Sequence, residues 1–178
     1  MLHLNVKKLK VLDAIGAGLI GLGQENATIA VFIGNRPPLP EYQQLKSLRP
    51  LQPEELTQRV MHCGNHWRKI FNCYAKLVFS LHNEGFTCWQ DYRDMQLLQL
   101  GSPLQLRFDR DLTPTSGVNI ICGRRHAESF KLPQNLCWLD AGFAIDVDSR
   151  LIVSPYFDYR QLSNLKLAYL GRLIKSLL

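Results

Sequence analysis

Four short polar segments hold the residue types that could bind a ligand or do chemistry on one. They combine amides, basic groups, aromatic rings and prolines, and they are Asn35-Arg36-Pro37, Asn65-His66-Trp67, Arg124-Arg125 and Ser154-Pro155-Tyr156. An amide can donate to and accept from a ligand, a guanidinium can pair with an anion, and an aromatic ring can stack on a planar group. Three of these segments lie at the ends of predicted strands and Asn65-His66-Trp67 begins a predicted helix, so a binding site requires that all four converge on one crevice.

The first segment follows the clearest strand in the chain. Residues 28–33 form a continuous apolar run rich in β-branched side chains, which is typical of a strand buried on both faces. Gly34 lets the chain turn, and Pro37-Pro38 exclude both a sheet ladder and an immediate helix. Open α/β sheets bind ligands at such carboxyl ends, so Gly34, Asn35, Arg36 and Pro37 are predicted to line a site.

The second segment begins the helix that the sequence predicts most strongly. Apolar residues recur at i, i+3, i+4 and i+7 over residues 65–81, and Gly85 is the predicted stop. Gly64 separates this helix from an earlier one predicted to start at Pro53. Two interpretations of Asn65 stay open: it caps the helix beside the core residue Trp67, or it offers its amide to a ligand.

The rest of the chain alternates strands with helices. Strands are predicted at residues 104–108, 118–122, 143–147 and 151–153, the last two as a hairpin, and helices at residues 87–98, 127–130 and 161–178. The last helix should turn Leu162, Leu165, Tyr169, Leu173 and Leu177 inward, and a Thr87-x-x-Gln90 capping box should open the first of the three. This pattern predicts a three-layer α/β/α sandwich with a mostly parallel central sheet over residues 27–178, on which residues 1–26 pack as an N-terminal segment.

Three motif-like patterns fit structural roles better than chemical ones. Gly16-Ala17-Gly18-Leu19-Ile20-Gly21 has the spacing of a dinucleotide-binding loop, but five residues before the next strand leave no room for its helix. That segment is instead predicted to be flexible or loosely helical. His62, Cys63 and His66 lack a further ligand and span a helix break, so no metal site is expected. Cys122 reads as a buried strand cysteine, with a nucleophile as the alternative.

Composition narrows the class of protein. A chain of 178 residues with 46% hydrophobic residues can build one domain, and its formal charge of +6 fits either a polyanion partner or an ordinary basic surface. Five cysteines without a C-x-x-C pair favour the reducing cytoplasm. No run of eighteen apolar residues occurs, so no membrane span is predicted, and nothing in the sequence indicates a cofactor.

Together these segments resemble the uracil-DNA glycosylase superfamily, especially its mismatch-specific and hypoxanthine-acting branches. The loop from Gly34 to Pro37 is similar to the G-x-x-P loop that follows the first strand in that superfamily. Asn65-His66-Trp67 is similar to its N-x-[FW]-W-like segment at the start of a long helix. Residues 118–130 resemble its later strand and short helix, and Ser154-Pro155-Tyr156 resembles its final loop before the terminal helix, so the likeness covers about residues 28–178.

The resemblance implies a three-layer, uracil-DNA glycosylase-like fold in which a flipped base enters a pocket, stacks on an aromatic ring and is read by an amide. Asn65 matches the asparagine of the hypoxanthine branch and would be the catalytic residue, acting on water or on the base. The ligand-binding residues would be Gly34, Asn35, Arg36, Pro37, His66, Trp67, Arg124, Ser154, Pro155 and Tyr156. Tyr156 would stack or wedge, Arg124 and Lys166 would contact phosphates, and no metal or other cofactor would be needed.

The sequence departs from the family pattern at two places. Arg36 stands before the proline where the mismatch branch has its catalytic asparagine, and the final loop lacks the family's histidine. Two functions are therefore expected. One is a glycosylase-like protein that binds DNA, another nucleic acid or a nucleobase-like ligand, with base excision where the chemistry is retained. The other is a non-catalytic α/β domain that binds a protein partner or a small anionic ligand.

Overall fold

A computed structural model describes residues 18–83, 85–112 and 117–178 of the chain. Eight strands form one sheet, and they are β1 (Gly21–Gly23), β2 (Ile29–Phe32), β3 (Leu48–Arg49), β4 (Leu104–Arg107), β5 (Val118–Cys122), β6 (Cys137–Trp138), β7 (Ala144–Asp146) and β8 (Leu151–Ser154). The helices are α1 (Pro40–Gln43), α2 (Glu55–Gln58), α3 (Asn65–Leu81), α4 (Trp89–Met95), α5 (Arg124–Ala127) and α6 (Asn164–Leu177), with a 3-10 helix at Val60–His62.

Four parallel strands form the centre of this sheet. Its order is β3-β1-β4-β2-β5-β8-β7-β6, and the neighbours β4, β2, β5 and β8 all run in the same direction. The predicted hairpin is confirmed, since β7 pairs with β8 antiparallel. The mostly parallel sheet of a mixed α/β fold is thus confirmed, with antiparallel strands towards both edges.

The segment predicted to be flexible or loosely helical contributes a strand instead. Gly21–Gly23 pairs antiparallel with β4, and a Cβ on Gly21 would lie 2.2 Å from the Leu106 carbonyl oxygen. Glycine is therefore required at Gly21 by the close approach of β4, which explains one glycine of the dinucleotide-like motif in structural terms. Gly16 and Ala17 of that motif lie outside the described residues.

Side chains of the central strands alternate between two cores. Ile29 and Val31 of β2 belong to the core that also contains the buried faces of α3, α4 and α6, whereas Ala30 and Phe32 belong to the opposite core. Ala127 of α5 packs in that second core, together with Leu132 and Leu136 from the following loop. Within the described residues, the expected three layers are therefore uneven, because the longer helices cover one face and a single helical turn with its loop covers the other.

Helix α3 confirms the prediction made from apolar spacing. It begins at Asn65 directly after Gly64, whose φ of +98° explains why a glycine separates it from the preceding turn, and it ends at Leu81 rather than near Gly85. Gly85 nonetheless has a φ of +84° in the loop that follows. No described helix is long and apolar enough to cross a membrane.

Three other helices differ from their predictions. The residue at the N-cap position of α4 is Cys88 rather than Thr87, and its side chain makes no capping hydrogen bond. The predicted capping box therefore does not form. Helix α5 begins at Arg124, three residues earlier than predicted. In α6 the side chain of Leu165 is 85% exposed, because Leu167, Leu170 and Ile174 form the buried stripe instead.

A charged cluster holds the segment between β2 and α3 in place. The Glu55 carboxylate accepts hydrogen bonds from Arg49 at 2.6 and 2.9 Å, from the Gln52 N–H at 2.9 Å and from the Tyr42 hydroxyl. Burial raises the pKa of Glu55, but the hydrogen bonds from Arg49, Gln52 and Tyr42 outweigh it and lower that pKa to about 2. The ionised carboxylate therefore stabilises the folded state.

We expect Glu55→Gln to lower the free energy of unfolding at pH 7 by about 2 kcal/mol, because the amide cannot accept these charge-assisted hydrogen bonds. The folded pKa lies below the unfolded value near 4.3, so the stabilisation is complete above about pH 4.5 and is lost as pH falls toward about 2. Urea denaturation from pH 7 to pH 3 measures this. Glu25→Gln, at an exposed position, is the control, and an equal loss in both variants would contradict the account.

Candidate functional site

The carboxyl ends of three parallel strands meet at one edge of the sheet. Strand β2 is followed by Ile33 and then Gly34, β5 is followed directly by Gly123, and β8 is followed directly by Pro155. The connection from β2 to β4 contributes α3 and α4 to one core, and the connection from β5 to β8 contributes α5 to the other. Neighbouring strands whose connections leave toward opposite faces define a topological switch point, so the crevice between β2 and β5 is a preferred ligand site.

Three of the predicted site residues come together at this crevice. The His66 Nε2 atom lies 3.0 Å from the Tyr156 hydroxyl and 3.4 Å from the Asn35 Nδ2 atom. The imidazole and phenol rings are stacked, with centroids 5.5 Å apart and planes 17° from parallel. We call Asn35, His66 and Tyr156 the crevice cluster. It contains an amide, an imidazole and a phenol contributed by the β2 loop, the first turn of α3 and the β8 loop.

Hydrogen-bond chemistry assigns roles within the crevice cluster. An amide nitrogen only donates, so His66 Nε2 accepts and its imidazole proton, when the ring is neutral, lies on Nδ1. Burial raises the pKa of the Tyr156 hydroxyl well above its ordinary value, with a hydrogen bond from Asn35 acting in the opposite direction. The phenol therefore stays protonated at neutral pH and can donate to His66 or to a ligand.

His126 is a fourth polar group at this edge that the sequence analysis did not select. A Cβ on Gly34 would lie 3.2 Å from its Nδ1 atom, so glycine at that position leaves room for the imidazole. Its Nε2 atom is buried and has no hydrogen-bond partner among the described residues. Burial, and then the charge of Arg110, lower the pKa of His126, so the ring is neutral at pH 7. The only sequence signal for it was its place three residues after Gly123.

Asn65, the predicted catalytic residue, contacts a different part of the surface. Its Oδ1 atom accepts a hydrogen bond from Arg68 Nη2 at 2.5 Å, and the side chain lines a separate pocket along α3. The expectation that Asn65 would act beside Asn35 and Tyr156 is thus not matched by the geometry. The reason is its position at the start of α3, where consecutive residues point in directions about 100° apart, so His66 faces the crevice cluster and Asn65 does not.

Arg36 is held by backbone carbonyls rather than directed at a ligand. Its Nη1 atom donates to the carbonyl oxygens of Gln43 at 2.8 Å, Leu45 at 3.0 Å and Tyr42 at 3.4 Å. These carbonyls lie at the end of α1 and just after it, where a helix leaves acceptors unsatisfied. Arg36 therefore caps α1 and fixes the β2 loop, and its role in lining a pocket stays a prediction.

The remaining predicted residues are structural or peripheral. Trp67 is 3% exposed in the core beneath α3, and Ser154 is fully buried with its hydroxyl donating to the Pro155 carbonyl at 3.0 Å. The Arg124 guanidinium covers the Trp138 ring at 4.3 Å, and Lys166 Nζ donates to the Gln161 carbonyl at 3.1 Å. Pro37 and Pro155 are buried and stiffen the two loops that carry Asn35 and Tyr156.

Two aspartates near this part of the sheet are paired with basic side chains, and Cys122 is buried. Arg107, fully buried, donates to both Asp109 carboxylate oxygens at 2.7 and 2.8 Å, and Lys69 pairs with Asp158 at 3.1 Å. Burial raises the pKa of the Cys122 thiol well above its ordinary value, which removes the nucleophile alternative at neutral pH. The described residues contain no group of three His, Cys, Asp or Glu side chains placed to hold a metal ion.

Comparison with known proteins places the chain in a family. A model described as a family of unknown function, DUF6942, matches residues 20–175, which include all eight strands and the whole crevice cluster. No curated protein and no solved structure matches the chain significantly.

We expect neutral His66 to carry its proton on Nδ1, because Nε2 accepts from the neighbouring donors. Long-range ¹H–¹⁵N NMR of the imidazole at pH 8 measures the tautomer directly. Tyr156→Phe removes one donor and should increase the fraction of the Nε2–H form, whereas Tyr159→Phe, on the exposed part of the same loop, should not change it. An Nε2–H tautomer in the unsubstituted protein would contradict the described cluster.

Proposed function

We propose that this chain, which belongs to the DUF6942 family of unknown function, binds nucleic acid by receiving a nucleobase in the crevice at Asn35, His66 and Tyr156. The observation that carries the proposal is the convergence of the crevice cluster at the switch point of the parallel sheet. That edge is where open α/β sheets bind ligands, and the cluster supplies both kinds of contact that a base requires.

Stacking is the first contact. The parallel His66 and Tyr156 rings form a short aromatic stack, and a base can lengthen it without regard to its sequence because every base has a π face. Such stacking contributes about 1–3 kcal/mol per base in proteins that bind single strands. A single-stranded or flipped-out nucleotide is therefore the form of nucleic acid that fits this crevice.

Hydrogen bonding is the second contact. Asn35 is exposed and its amide can donate and accept, which matches the mixed donor and acceptor edge of a nucleobase. The Tyr156 hydroxyl adds a further polar group at the same edge of the sheet. Held by the buried prolines and by Arg36, the loops that carry these groups are arranged before the ligand arrives.

The proposed relation to the uracil-DNA glycosylase superfamily is one of architecture and recognition. It is supported by the four parallel strands and by polar loops after β2 and β8 that meet the first turn of α3. We do not extend the proposal to base excision. Asn65, the residue that the resemblance assigns to catalysis, is hydrogen-bonded to Arg68 in another pocket, and the carboxylates of Asp109 and Asp158 are paired with basic side chains.

We expect a fluorescently labelled single-stranded DNA oligonucleotide to bind more tightly than the same oligonucleotide with abasic sites, because bases supply the stacking energy. Tyr156→Ala should weaken binding of the base-containing strand about tenfold and abolish the difference between the two strands. Fluorescence anisotropy measures both affinities.

Tyr156→Phe separates the two contacts, since it keeps the ring and removes the hydroxyl, and it should retain most of the preference for bases. Leu165→Ala, at an exposed position on α6, is the control for nonspecific effects, and circular dichroism verifies folding of each variant. Equal affinity of the unsubstituted protein for the base-containing and abasic strands would overturn the proposed function.

A further inference from the structure

A cavity of about 280 Å³ lies along the outer face of α3, and it is lined by Asn65, the neighbour of His66 in the crevice cluster. Its lining residues recur at helical spacing on α3 and include one residue of the β8 loop: Asn65, Arg68, Lys69, Asn72, Cys73, Lys76 and Tyr159. We call this cavity the α3 pocket. The sequence analysis selected neither the basic side chains of this pocket nor Asn72, because polar residues at these spacings are typical of the solvent-exposed face of a helix.

The α3 pocket carries a net positive charge. Lys69 is paired with Asp158 at 3.1 Å, but neither Arg68 nor Lys76 forms an ion pair with a described residue. Burial raises the pKa of the Cys73 thiol to about 11, so the thiol is neutral at pH 7 and does not offset that charge. Two cationic side chains of this pocket are thus available to a ligand.

The amides of the α3 pocket are turned into donors by neighbouring arginines. The Asn65 Oδ1 atom accepts from Arg68, and the Asn72 Oδ1 atom accepts from Arg93 Nη1 at 2.7 Å. With their oxygens occupied, these asparagines offer the pocket their NH₂ groups. Asn65, Arg68, Asn72 and Lys76 can therefore each donate a hydrogen bond into the pocket, which complements a ligand with several acceptor atoms.

Aromatic rings limit the freedom of two of the lysines. Lys76 Nζ lies 4.9 Å from the centre of the Trp89 ring, and Lys69 Nζ lies 4.5 Å from the centre of the Tyr159 ring. These cation–π contacts fix long side chains that otherwise lose entropy on binding a ligand. The donors of the α3 pocket are thus partly ordered in the free protein.

We propose that the α3 pocket binds a phosphate group. A phosphate presents acceptor oxygens in several directions and carries negative charge, so it satisfies both the donor set and the unpaired cations. This phosphate belongs to the backbone of the nucleic acid whose base occupies the crevice, an assignment that rests on the proposed function. Two elements support that link: Asn65 and His66 are consecutive residues of α3, and Tyr156 and Tyr159 belong to one loop.

Inorganic phosphate tests the α3 pocket without any base. In a ¹H–¹⁵N NMR titration of the full chain, phosphate should shift the backbone amides of residues 65–76 and the Trp89 indole. Arg68→Gln/Lys76→Gln should abolish these shifts, whereas Arg172→Gln/Lys175→Gln, which removes the same charge from exposed positions on α6, should retain them. Absence of the shifts in the unsubstituted protein, or their persistence in Arg68→Gln/Lys76→Gln, would overturn the phosphate site.

A single-stranded oligonucleotide tests the source of the phosphate. Loss of the contact to this one phosphate should reduce the slope of log K against log[salt] by about 0.7 and weaken binding about fourfold near 0.15 M salt. The α6 control should keep the unsubstituted slope. If inorganic phosphate binds but Arg68→Gln/Lys76→Gln leaves the slope unchanged, the pocket serves a free phosphate compound and the backbone assignment is overturned. Failure of the proposed function is distinguishable, because it abolishes the preference for base-containing over abasic strands and leaves the inorganic phosphate shifts intact.

Discussion

The position of β2 between β4 and β5 is the constraint on which the rest of this structure depends. Its side chains alternate between two cores, so every residue from Ile29 to Phe32 is buried and the strand cannot shift without exposing one set. Because β4, β5 and β8 run parallel to it, their carboxyl ends share one edge. The chain leaves β2 toward one face and β5 toward the other, and the crevice between them follows from that topology.

Helix α3 links this crevice to the rest of the proposed binding surface. Its buried stripe, from Trp67 to Val78, fixes it on the sheet, and its first turn therefore has a defined position beside the β2 and β8 loops. His66 then contacts Asn35 and Tyr156, while the next turns of the helix carry Arg68, Asn72 and Lys76 into the α3 pocket. A base and a neighbouring phosphate can thus be received by one rigid element with two loops.

The sequence predicted the central strands and the longest helix of the fold, and it predicted part of the candidate site. Apolar runs and helical spacing predicted β2, β5, the β7–β8 hairpin and α3, because burial selects those patterns directly. Strand β1 was missed because its glycines are required by the close approach of β4, which is distant in sequence and leaves no local pattern. The strand-end rule placed Asn35 and Tyr156 at one crevice, but it could not show that Arg36 caps α1 or that Asn65 faces away, since both depend on side-chain direction.

A crystal structure of the chain with a short single-stranded DNA containing deoxyuridine would show whether the crevice receives a nucleobase. We expect a base stacked on the His66–Tyr156 pair, with its edge hydrogen-bonded to the Asn35 amide and its N-glycosidic bond intact. An oligonucleotide bound elsewhere on the protein with the crevice empty would contradict the claim that the crevice receives a nucleobase. A free base in the crevice beside a cleaved sugar would contradict the conclusion that the cluster recognises a base without excising it.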